Sequence, residues 1–129
     1  MKTLNNLLLL ILCLGVTNLA MGQGGTDCST ATTPVFGINS VSYTGTGASN
    51  ICSGGTATAA GWFVFVPTND GTISVGSCEQ GEDTRLSIYS GSCAALTCEA
   101  YIDDNCIHIV GGAQAYASEL NDVPVSAGD

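Results

Sequence analysis

Six cysteines carry the clearest chemistry in this chain. Cys28, Cys52, Cys78, Cys93, Cys98 and Cys106 all follow a short apolar N-terminal run that holds a seventh, Cys13. They are spread through a Gly/Ser/Thr-rich segment, and so many thiols behind an export signal read as a disulfide framework. Zinc is the rival use. The interval Cys93-Ala94-Ala95-Leu96-Thr97-Cys98 is too long for a typical two-cysteine knuckle, and export favours oxidation. Closeness in sequence favours a Cys93–Cys98 bridge, with Cys28–Cys52 and Cys78–Cys106 as the remaining pairs.

Carboxylates are the second candidate. Glu79, Glu82 and Asp83 fall in one loop, Asp103 and Asp104 in another. If the fold joins the loops, Glu82, Asp83, Asp103 and Asp104 offer hard oxygen ligands of the kind Ca²⁺ takes, with a structural role. The plain reading is that turns favour Asp and that acidic surfaces keep exported proteins soluble. No EF-hand spacing is present, and no other cofactor is implied.

Catalysis finds little support. His108 is the only histidine, and no Gly-x-Ser-x-Gly elbow or His-Glu-x-x-His motif accompanies it. Flanked by Ile107 and Ile109, it reads as the outward residue of a strand. A glycosidase pair of carboxylates would have to come from Gly/Cys turns, in a chain short for such a cleft. The expectation is therefore a non-enzyme. Tyr89 and Tyr101, beside turns, are the candidate platform residues for a sugar or other ligand. Trp62 reads as core, and Tyr43 and Tyr116 are weaker candidates.

These residues need elements to position them. Residues 1–22 read as a signal peptide: Lys2, then Leu7 to Leu14, then Ala20-Met21-Gly22 before Gln23. The run is short for a membrane span, and no second one follows. Residues 23–129 read as one domain. Once Lys2 is removed, Arg85 alone stands against eleven carboxylates. Such a surface excludes nucleic acid, whose phosphates need Lys and Arg. Secretion or display at the cell surface follows.

Alternation marks Val35–Thr44 and Thr84–Tyr89 as strands, the latter with Leu86 and Ile88 inward. Trp62-Phe63-Val64-Phe65-Val66 has the composition of a strand buried on both faces. Asn69-Asp70-Gly71 after Pro67 reads as a hairpin into Thr72–Val75. Cys98–Ile102, Ile107–Val110 and part of Tyr116–Val125 complete the strands. Gly45–Ala60 reads as a long loop, and Val125–Asp129 as a turn. No helical period is sustained. The fold class is all-β: an antiparallel β-sandwich, jelly-roll-like and disulfide-stabilised.

The order of features from Gly61 to Cys106 resembles secreted bacterial β-sandwich accessory modules of the Bacteroidetes type. It is similar to pre-peptidase C-terminal and, more loosely, CUB-like domains. The most specific stretch is Asp83-Thr84-Arg85-Leu86-Ser87-Ile88-Tyr89-Ser90-Gly91-Ser92-Cys93. Gly61–Phe65, Gly71–Val75 with Cys78, Asp103-Asp104-Asn105-Cys106 and the opening Asp27–Thr32 support it. Glu82 departs from the aromatic residue usual before the aspartate. The resemblance implies a further strand after Val125–Asp129, so the chain is expected to be a piece of a larger exported protein. It also implies a non-catalytic binding or adhesion module for an extracellular polymer, glycan or protein. The alternative is a module that assists a secreted hydrolase.

Overall fold

The computed structural model describes residues 23–41, 44–47, 52, 59–78, 82–110 and 113–129, with side chains outside 107–110 and 113–115. The signal-peptide reading, Tyr43, Glu79, most of the 45–60 loop and the side chain of His108 lie outside what is described. The protein is all-β. Among the described residues, one 3-10 turn, η1 (Cys28–Thr30), precedes six strands: β1 (Gly71–Gly76), β2 (Arg85–Ser92), β3 (Ala95–Asp103), β4 (Cys106–Val110), β5 (Ala113–Ala117) and β6 (Glu119–Val125). They pair as three antiparallel two-stranded ribbons, β1–β6, β2–β3 and β4–β5.

The β2–β3 hairpin forms where alternation is clearest. Leu86 stands opposite Ile102 and Ile88 opposite Ala100, all more covered than Arg85, Ser87 and Asp103. The register then shifts between Ile88 and Tyr89, so that Tyr89 faces Cys98. β4 pairs with β5 from Cys106–Ala117 to Val110–Ala113, and His108 stands opposite Ala115.

Two expected strands are different in the structure. Trp62 to Val66 is not buried on both faces. Trp62 and Phe63 make only isolated bridges, to Gly25 and Thr32, and Val64, Phe65 and Val66 are exposed. An aromatic and β-branched run needs strands on both sides to bury it; among the described residues its backbone bridges only the 23–32 segment. Asn69-Asp70-Gly71 does not turn that run back on itself. β1 pairs instead with β6, from Gly71–Val125 to Gly76–Glu119. Asp70 Oδ1 accepts from Ala127 N at 2.9 Å, and Pro67 O accepts from Gly128 N at 2.9 Å. The turn thus clamps the final turn of the chain.

Val35–Thr44 likewise forms a loop over its described part, apart from an isolated bridge of Ser40 to Gln23. Asn39 Oδ1 accepts from Val35 N at 2.8 Å, while its Nδ2 donates to Val35 O at 2.8 Å. Gly37, at φ 105°, makes the turn between them. An Asn side chain replaces the strand ladder here.

The ribbons meet at Ser118, which is fully buried. Its Oγ donates to Thr84 O and accepts from Asp104 N at 3.2 Å, and its carbonyl accepts from Ser77 N at 2.9 Å. Ser77 Oγ also meets Thr84 Oγ1. Beside them, Asn105 donates to Glu119 O at 2.8 Å and accepts from Glu119 N at 2.7 Å. Among the described residues, the buried hydrophobic side chains are Ala117 and Val123. In a domain of this size, disulfides carry a large share of the stabilisation.

Candidate functional site

Three disulfides join the described cysteines: Cys28–Cys93, Cys52–Cys98 and Cys78–Cys106, with Cα atoms 5.6, 5.2 and 5.8 Å apart. The Cys78–Cys106 expectation holds. The pairs Cys93–Cys98 and Cys28–Cys52 do not form. Cys93 occupies the β2–β3 turn, whereas Cys98 stands within β3 opposite Tyr89, so one hairpin holds both without making them neighbours. Each is taken by a segment from earlier in the chain. Three bridges in so small a domain fit an oxidising compartment.

Cys78–Cys106 ties together the two loops that carry the acidic residues. Asp83, Asp103 and Asp104 bring one carboxylate oxygen each within 4.8 Å of one another, and all three are exposed. Glu82 is exposed and stands outside this group. Three monodentate carboxylates give about half of the six to eight oxygens that Ca²⁺ takes. Asp104 has φ 59°, in the left-handed region. Its carboxyl is held above the ordinary carboxylate value, first by lost hydration and then by repulsion from Asp103 and Asp83, while Arg85 acts the other way. Arg85 lies opposite Asp103 in the ribbon.

Asp27 is perturbed in the opposite direction. It caps η1: Oδ1 accepts from Ser29 Oγ at 2.6 Å and Thr30 N at 2.9 Å, and Thr30 Oγ1 accepts from Asp27 N at 3.0 Å. These bonds, the Ser29 hydroxyl foremost, lower its carboxyl pKa.

Tyr89 stacks on Trp62, with ring centroids 5.8 Å apart and planes inclined by 23°. Trp62 Nε1 donates to Thr46 O at 2.8 Å. Both rings are half-buried, as is Tyr101, whose hydroxyl donates to Asp103 Oδ2 at 3.0 Å. The pairs Ser87–Tyr101 and Tyr89–Cys98 put Tyr89 and Tyr101 on one face of the hairpin by the strand period of two. That face offers rings and a carboxylate side by side, suited to stacking on a sugar ring while accepting from its hydroxyls.

A second surface was missed by the sequence reading. Phe36, fully exposed, and Phe65 border a groove of about 160 Å³ with Pro67, Ile73 and Val125. Phe36-Gly37-Ile38-Asn39 contains two turn formers inside an apolar run, which is the signal that its large side chains are presented rather than packed. Among the described residues, no helix is long and apolar enough to cross a membrane. No protein-family model, no curated protein and no solved structure matches the chain.

Proposed function

We propose that this chain is a non-catalytic binding module of a secreted or cell-surface protein, an accessory domain whose ligand is an extracellular polymer, glycan or protein. The observation that carries this reading is the half-buried Trp62–Tyr89 stack on the hairpin face that also bears Tyr101 and Asp103. Aromatic faces beside a fixed acceptor are a binding arrangement that requires no reaction centre. Three disulfides support a place outside the cytoplasm. In this reading the three ribbons form the two layers of a jelly-roll-like sandwich, and the bridges hold those layers together.

The test is an array of extracellular glycans and polymers probed with the oxidised protein, followed by turnover assays on every ligand found. Saturable binding without turnover, weakened when Tyr101→Ala removes the ring, is expected. Hydrolysis of a bound ligand would make the chain an enzyme and end this reading.

A further inference from the structure

The two edges of the β1–β6 ribbon are unequal. β6 has a protected outer edge: Pro124 lacks an N–H, Asp122 takes φ 54°, and β6 carries an extra residue between Leu120 and Val123, where Ser74 alone stands on β1. β1 has none of these devices. Its sequence, Gly71-Thr72-Ile73-Ser74-Val75-Gly76, holds no charge and no proline, and all of it except Ile73 is exposed. Among the described residues it pairs with β6 alone. An uncharged, exposed edge is a template for another strand.

The apolar groove adjoins this edge. Gly71, Thr72 and Ile73 line it together with Phe36, Phe65 and Val125. A strand laid along β1 would place alternate side chains toward the groove and the others toward solvent. Charge decides what that strand carries. Asp70 immediately precedes β1, and Asp122 N donates to Ser74 Oγ at 3.1 Å, which sets a carboxylate-bearing residue across the ribbon. The whole chain has a formal net charge of −9. A second copy would bring the same charge to the same place, whereas a basic segment would be drawn in.

We propose that β1 is a docking edge for one extended segment of a partner protein, apolar on the face toward Phe36 and Phe65 and carrying Lys or Arg on the other. This rests on the reading of the chain as a binding module and names a protein strand as its partner.

The probe is a synthetic peptide of about eight residues that alternates Val and Lys. Controls are a Val/Glu peptide and a Val/Lys peptide with a central Pro. Binding to the oxidised protein is followed by fluorescence anisotropy, and the bound edge by hydrogen exchange. The Val/Lys peptide should bind, protect the β1 amides and weaken with salt. Val75→Lys, at an exposed position on the face that Ile73 shares, should weaken it roughly tenfold or more, because a charge there opposes burial of the peptide's Val side chains. Phe36→Ser, at a fully exposed side chain, should weaken it without changing the melting temperature. Failure of the Val/Lys peptide to bind would overturn the inference, as would equal binding of either control. So would self-association through β1 that excludes the peptide, because the edge would then belong to a second copy. Glycan binding through Tyr101 that survives any of these results leaves the binding-module reading standing.

Discussion

Cys28 and Cys93 are bonded across 65 positions of sequence, which fastens η1 to the turn between β2 and β3. The other two bridges span 46 and 28 positions. Loop-closure entropy varies only with the logarithm of span, so each is worth roughly 4 kcal/mol against the unfolded chain. Replacing both cysteines of the longest bridge, Cys28→Ser with Cys93→Ser, is expected to lower unfolding free energy by about that amount. Urea titration measures it, and a loss under about 1 kcal/mol would show that packing alone holds η1 to the hairpin.

Asp104, taken by itself, favours the fold at acid pH over neutral pH. Its proton is held more tightly in the folded protein than in the unfolded chain. Its contribution therefore favours folding below the ordinary value of 3.8 and is lost as pH rises through its raised value. Asp104→Asn removes that loss and keeps a residue at ease at φ 59°. The variant should melt higher than the parent at pH 7 in low salt, with the gap closing toward pH 3. A lower melting point at pH 7 would contradict this.

Asp27 has the opposite sign. Its lowered pKa means that its contribution is present above 3.8 and lost as pH falls through the depressed value. Asp27→Ala should lower the melting temperature at pH 7 and have little effect in strong acid. An unchanged melting point at neutral pH would show that the η1 cap adds nothing.

Crowding of Asp83, Asp103 and Asp104 should be relieved by screening. NaCl is expected to raise the melting temperature, and CaCl₂ at matched ionic strength to raise it equally, because the carboxylates clustered among the described residues are three and exposed. A saturable extra rise with Ca²⁺ that vanishes in Asp103→Asn would instead establish a bound ion.

Gly45 has no room for a side chain. A Cβ there would lie 2.3 Å from Thr26 O and 2.4 Å from Ala60 O, both backbone atoms. Gly45→Ala should cost about 1–3 kcal/mol, by pushing apart the segments bridged at Gly45 and Ala60. Chemical denaturation checks it, and a neutral effect would mean that this seam yields.

Local patterns were legible in the chain, and distant pairings were not. The β2–β3 hairpin follows from the alternation through Leu86 and Ile88, because its two strands are neighbours in sequence. The β1–β6 pairing joins Gly71 to Val125, and nothing near Gly71 records that partner. A hairpin from Asn69-Asp70-Gly71 is the local solution; the Asp70 and Pro67 bonds to the last turn outcompete it. The disulfides show the same division. Cys78–Cys106 could be anticipated, but Cys98 prefers Cys52 to its neighbour Cys93, since the facing of a strand and not the count of residues decides which sulfurs meet. Of the site, Asp83, Asp103 and Asp104 were visible as acidic loops that the fold joins. The stack of Tyr89 on Trp62 was hidden because it depends on where the 62–66 run lies.

Non-reducing peptide mapping by mass spectrometry tests the covalent frame most directly. The frame requires three cross-linked species, joining Cys28 to Cys93, Cys52 to Cys98 and Cys78 to Cys106. A Cys93–Cys98 species, or these six sulfurs free, would contradict it.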